Sequence, residues 1–176
     1  FAVDTGLEIA LDNDNNVIVS GTYWNGTDTD MQVVKYNPAD GSMIWKKIYE
    51  GAGEGVDVPT SMIADDEGNI AITGITWSGN SIDYLTVKYS AEGNLLWDVT
   101  DNPAGADAWN EPAAIALDAD NNVIIAGYSP NSEGWLTYYT AKYNSADGAE
   151  VWAQSRLFEN HQVEDDPESP LVPTNS

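Results

Sequence analysis

The strongest constraint on the fold is that the chain writes one pattern three times. Gly21, Gly74 and Gly127 are spaced by 53 and 53 residues, as are Asp12, Asp65 and Asp118, and Asn16, Asn69 and Asn122. Lys35, Lys88 and Lys142 follow at 53 and 54, and Trp45, Trp97 and Trp152 at 52 and 55. Five residue positions held in register across 176 residues define a tandem array. In such arrays each repeat is one supersecondary unit that buries its apolar face on its neighbours.

Each unit reads as short strands. In the first they are "EIALD", "NNVIVSG", "MQVVKYN" and "SMIWKKIY", runs of β-branched and aromatic residues cut by turn residues. No stretch carries a 3.6-residue period, so four strands per unit and no helix are expected. The turns between the first two strands are "DNDNN", "DDEGN" and "DADNN", whose fourth residue is Asn15, Gly68 or Asn121. Those are the residue types that tolerate a left-handed backbone. The leading Asp is placed to accept backbone N–H groups of its own turn. Before each repeated Trp, "ADG", "AEG" and "ADG" put Gly41, Gly93 and Gly148 at a hairpin bulge.

A four-stranded unit of about 50 residues in tandem is the pattern of a β-propeller blade. A β-solenoid needs shorter repeats, and an immunoglobulin-like sandwich does not repeat internally. The expectation is therefore an all-β chain of three antiparallel blades, about 4–57, 58–110 and 111–158, forming an open arc or part of a larger ring. Trp45, Trp97 and Trp152 would sit near the interblade seams, with Gly21, Gly74 and Gly127 in structural roles.

The segment "DYLTVKYSAEGNLLWDV" resembles the bacterial β-propeller repeat family abbreviated SBBP, and "MIADDEGNIAITG" resembles the opening hairpin of that family's blade. The resemblance spans about residues 4–160. The third unit departs from it, with Thr137 in place of Asp30 and Asp83 and Ala141 in place of valine, so looser packing is expected there. The resemblance implies a propeller on a secreted or surface-attached protein of a bacterium or archaeon, and no single activity. The Asp-Gly-x-x-x-Trp pattern is also similar to the blade motif of quinone-dependent dehydrogenases. Only the docking role of the tryptophan carries over, and no cofactor is implied.

Three blades are too few for a closed ring, which takes 4–8. Val3–Asp4 stands 53 residues before Val56–Asp57, and "VEDDPESPLV" loosely matches the strand opening "VDVPTSMIA". The pattern is that of a longer array cut at both ends. Residues 159–176 read alternatively as an acidic, proline-containing tail. An open arc leaves two blade faces to be covered by another copy, a partner chain or further blades.

Charge limits the partners. There are 29 acidic and 6 basic residues, for a net charge of −23. Nucleic acid and anionic membrane surfaces repel such a chain, whereas cations and basic proteins suit it. No apolar run approaches the length of a membrane span. The absence of cysteine excludes disulfides, thiolate metal sites and a cysteine nucleophile. His161 is the only histidine and lies in the presumed tail, so no Ser-His-Asp arrangement is placed by the repeat. No carboxylate pair stands out, and no catalytic residue is assigned.

Three residue sets remain as candidates. Asp12, Asp14 and Asn16, and likewise Asp118, Asp120 and Asn122, have the one-three-five spacing of calcium loops. They lack the sixth-position Gly and twelfth-position Glu, having Val17 or Val123 and Tyr23 or Ser129 there, and the same turns serve as plain hairpins. Lys35, Lys88 and Lys142 are half of all basic residues; the stem would pack and the ammonium meet a carboxylate or turn carbonyl. Trp24, Trp77, Trp109 and Trp135 fall in loops, where tryptophan folds over strand ends, anchors a protein interface or stacks on sugar. The function classes are a non-catalytic module for protein binding or self-assembly outside the cell, and a fragment of a larger propeller enzyme or a glycan-binding module.

Overall fold

A computed structural model of the chain describes residues 4–51, 55–77, 79–105 and 108–157. The expected tail over 159–176, with His161, lies outside the described residues. Among the described residues there are twelve strands and no helix. The first blade comprises β1 (Thr5–Leu11), β2 (Val17–Trp24), β3 (Thr29–Tyr36) and β4 (Met43–Tyr49). The second comprises β5 (Asp57–Ala64), β6 (Ile70–Trp77), β7 (Ile82–Tyr89) and β8 (Leu95–Asp101). The third comprises β9 (Glu111–Leu117), β10 (Val123–Pro130), β11 (Leu136–Tyr143) and β12 (Glu150–Arg156). Each blade is an antiparallel meander whose spatial order is its chain order. The inner strands β1, β5 and β9 touch in succession, and the sheets fan outward from them without closing.

Alternation along the strands sends side chains to two seams. Leu85, Val87 and Tyr89 of β7 pack with Ile18, Met31 and Val33 of the first blade and with Ile70 and Ile72. Tyr84, on the other face of β7, joins Ala71 and Trp97 against Val123, Ile125, Tyr139, Ala141 and Tyr143 of the third blade. The second blade is thus covered on both faces, which is why β6 and β7 are buried almost throughout.

The turn chemistry follows the repeat. Asn15, Gly68 and Asn121 have φ of 61°, 78° and 60°. Asp12 Oδ1 accepts the Asp14 and Asn16 backbone N–H groups at 3.0 and 2.9 Å, and Asp65 and Asp118 cap their turns in the same way. Gly41, Gly93 and Gly148 have φ of 71°, 80° and 71° beside a register shift between the third and fourth strands.

The repeated Gly21, Gly74 and Gly127 answer to the inner strands. Each inner strand is irregular opposite this glycine and presses a carbonyl onto it. A Cβ would lie 1.9 Å from Thr5 O at Gly21, 2.1 Å from Val58 O at Gly74 and 2.2 Å from Glu111 O at Gly127. The departures in the third unit are accommodated: Ala141 and Thr137 are both buried, and the Thr137 hydroxyl donates to Ser129 O at 2.8 Å. The exposure of that blade has another source: among the described residues no sheet packs on its outer face.

Candidate functional site

The seams are built by the repeated lysine and tryptophan. In the first, the Lys35 ammonium lies 2.7 Å from the Asp12 carboxylate of its own blade and donates to Ala91 O of the next at 3.0 Å. The Trp45 indole N–H donates to the same carbonyl at 3.0 Å. In the second, Lys88 pairs with Asp65 at 3.1 Å and donates to the Ser145 hydroxyl at 2.7 Å, while the Trp97 indole donates to Ser145 O at 3.0 Å. Ala91 and Ser145 hold the same place, in the turn between the third and fourth strands.

The tryptophan ring also needs that turn's glycine. A Cβ on Gly93 would lie 3.0 Å from Trp45 Cδ2, and one on Gly148 would lie 2.8 Å from Trp97 Cδ2. Each ring therefore covers a glycine of the next blade, and Gly93 and Gly148 are buried. Seam phenols add to this. Tyr84 OH donates to Tyr128 O at 3.0 Å, Tyr49 OH to Asp98 at 2.8 Å, and Tyr139 and Tyr143 both donate to Asp101. Burial, and then the Asp101 carboxylate, push the Tyr143 and Tyr139 phenols well above the usual tyrosine range, so both remain protonated donors.

Among the described residues, the third copy of the set has no neighbouring blade. Lys142 and Asp118 meet at 2.5 Å, with side chains 21% and 22% exposed, against 2% and 1% for Lys88 and Asp65. Trp152 is 39% exposed and Trp97 6%. The structure thus brings together all three lysines with the leading Asp of the first turn, a pairing the spacing alone did not identify.

The same ion pairs bear on the calcium reading. Burial works to raise the Asp12 and Asp65 pKa values, but hydrogen bonds from the lysines and from Asn16 and Asn69 outweigh it and hold both carboxyls low. Lys142 and Asn122 hold Asp118 low. A calcium ion at Asp12 or Asp118 would have to displace an ammonium. Asp14 and Asp120 stand beside the caps, and their backbone N–H groups donate to Asp12 and Asp118.

The four candidate tryptophans gather at one end of the fan, where Trp24 and Trp77, expected in loops, are instead the paired last residues of β2 and β6. Second-to-third strand loops and blade-to-blade connections leave the same edge of every meander, and short parallel bridges tie them, Thr29 to Val56 and Ile82 to Trp109. Trp24, Trp77, Trp109 and Trp135 are all exposed there. Trp24 and Trp77 flank a cavity of 440 Å³ lined also by Thr27, Asp28, Thr29, Gly55 and Val56. Trp109 Nε1 donates to Glu111 at 3.2 Å, which fixes that ring beside a carboxylate.

Sequence reasoning missed the support of this rim. Asp4, Asp57 and Asn110 share one repeat position, spaced by 53 and 53. Asp4 accepts the Trp24 backbone N–H at 3.1 Å, Asp57 the Gly51 N–H at 2.8 Å, and the Asn110 amide donates to Ile82 O at 3.0 Å. Burial raises the Asp57 pKa, and the charges of Asp30 and Asp28 add to the rise. Val3–Asp4 and Val56–Asp57 carried part of the signal; Trp109–Asn110 hides it by changing both residues.

The chain matches no protein-family model. It is similar to an uncharacterized WD repeat-containing protein of Acanthamoeba polyphaga mimivirus, 27% identical over 158 residues. The match takes in 68% of this chain, which spans 11% of that relative's length. The three four-stranded sheets, fanned about their first strands, are consistent with open propeller blades, and the likeness to a WD repeat-containing protein accords with that arrangement.

Proposed function

We propose that the chain is a non-catalytic β-propeller module of the cell exterior that binds protein partners, with the tryptophan rim as its docking surface for basic segments. The observation that carries this is the cavity in which Trp24 and Trp77 flank Asp28. A lysine or arginine head entering it meets two indoles and a carboxylate that the Gly55 N–H and the Asn25 amide hold in place, and a cation–π contact there is worth about 0.5–2 kcal/mol. The net charge of −23 steers basic partners toward the chain and repels acidic ones. The likeness to a WD repeat protein supports a blade scaffold. The SBBP resemblance supports a secreted or surface-attached setting.

Titration of a lysine-rich peptide, followed by tryptophan fluorescence, tests the rim. Binding should weaken about tenfold in Trp24→Ala or Trp77→Ala and fall steeply with salt. Binding that ignores both substitutions overturns the assignment. Binding of a neutral oligosaccharide that ignores salt would assign the rim to glycans instead.

A further inference from the structure

The two seams inside the chain show what a blade face recognises, and among the described residues the outer faces of the arc carry the two unmatched halves of that contact. We propose that the trailing face of the third blade docks the leading face of the first blade of a second copy of this chain, with Trp152 seated on Gly41 and donating, together with Lys142, to the carbonyl of Pro38. This deepens the reading of the chain as an interaction module by naming a partner and the contacts that hold it.

The assignment follows position by position. Trp45 and Trp97 each cover a turn glycine, Gly93 and Gly148, and bond the carbonyl three residues past the lysine, Ala91 O and Ser145 O. The corresponding residues of the first blade are Gly41 and Pro38, and both are exposed. The turn is already in the receiving shape. Gly41 has φ of 71°, as does Gly148, and its N–H closes the turn on Asn37 O at 2.9 Å, as Gly148 N–H does on Asn144 O at 3.0 Å. A Cβ at Gly41 would meet nothing within 4 Å, so the space that a tryptophan ring fills at Gly93 and Gly148 is open here.

The donor half is equally formed. Lys142 is held by Asp118 as Lys35 and Lys88 are held by Asp12 and Asp65, and Trp152 stands opposite Lys142 in the strand register as Trp97 stands opposite Lys88. The apolar surface around each half is the surface that the inner seams bury. On the leading side Ile9 is 71% exposed, where its counterpart Met62 packs into the first seam. On the trailing side Tyr138 is 64% exposed, where its counterparts Met31 and Tyr84 are fully buried. The halves lie at opposite ends of the arc, so the contact is heterologous: it closes a ring if the rotation allows and otherwise extends as a filament. Two arcs of three blades make six, inside the range of closed propellers. Copies with net charge −23 repel, so added salt favours the docked state.

Light scattering on the purified chain at micromolar concentration in moderate NaCl tests this with two variants. Gly41→Asn keeps a residue type that this protein already holds at positive φ, at Asn15 and Asn121, and places a side chain in the seat. Trp152→Lys removes the ring at an exposed site. The wild type should have the mass of two chains or a multiple. Each variant alone should be a monomer with an unchanged β-type circular dichroism spectrum. An equimolar mixture of the two should form a dimer and stop there, because it restores one good seat and one good ring. A monomeric wild type, variants that assemble as the wild type does, or a mixture that stays monomeric would each overturn the proposal. Binding of the lysine-rich peptide at the Trp24–Trp77 rim should survive both substitutions, so failure of assembly is read separately from failure of the rim.

Discussion

The Trp97 indole N–H of the second blade donates to the Ser145 carbonyl of the third at 3.0 Å, and its ring covers Gly148, the turn glycine three residues further on. Trp45 and Ala91 repeat the relationship one blade earlier. The bond and the covered glycine make each seam directional, because the donor ring belongs to one blade and the receiving turn to the next.

Trp97→Phe should cost about 1–2 kcal/mol, through the lost hydrogen bond and reduced fill of a buried site. Trp152→Phe in the Gly41→Asn background, where no copy docks, should cost much less because the ring is exposed. Urea unfolding of the two variants checks the contrast. Equal costs would mean the ring acts within its own blade.

Asp65→Asn leaves the Lys88 ammonium buried without its carboxylate, a loss of about 3–5 kcal/mol. The chemically identical Asp118→Asn should matter far less, because Lys142 reaches solvent. The difference depends on pH. The Asp65 carboxyl titrates lower in the folded chain than in the unfolded one, so the stability it lends is complete above about pH 4 and is lost as pH falls through the folded value. The gap in melting temperature between wild type and Asp65→Asn should therefore narrow in acid. A gap that widens below that pH would contradict the ion-pair account.

Much of this was legible in the residues themselves. The spacing of Gly21, Gly74 and Gly127 located the blades, and the Asn or Gly in each first turn announced the left-handed backbone at Asn15, Gly68 and Asn121. Those features are local, and a local conformation selects its residue directly. The reason for the repeated glycine was not legible, because the carbonyl that presses on it belongs to another strand. The repeated lysine was expected to meet a carboxylate or a turn carbonyl; Lys35 and Lys88 meet both and Lys142 meets the Asp118 carboxylate, and which partners they meet depends on strand register and on the neighbouring blade. Trp24 and Trp77 were expected in loops and instead end β2 and β6, and their common cavity was not legible because it comes from blade placement.

Gly74→Ala should destabilise by about 3 kcal/mol, because its Cβ would lie 2.1 Å from a backbone carbonyl that cannot move without breaking the inner strand pairing. Thermal unfolding checks this. A neutral substitution would show that the inner strand is free to shift.

Melting temperature should rise between low salt and ~0.15 M NaCl, where the range of self-repulsion shrinks to about 8 Å. At matched ionic strength CaCl₂ should add nothing further, since lysine ammoniums already pair with the turn carboxylates Asp12 and Asp118. An additional rise that Asp14→Asn and Asp120→Asn remove would instead assign calcium to these turns.

Each seam is closed by an indole N–H on the next blade's turn. Hydrogen exchange of the indole N–H groups, resolved by nuclear magnetic resonance, tests it most directly. In the Gly41→Asn monomer, Trp45 and Trp97 should exchange slowly, while Trp24, Trp77 and Trp152 exchange at solvent-limited rates. In the assembled wild type Trp152 should join the slow set. Trp45 and Trp97 exchanging as fast as Trp24 and Trp77 would contradict the account.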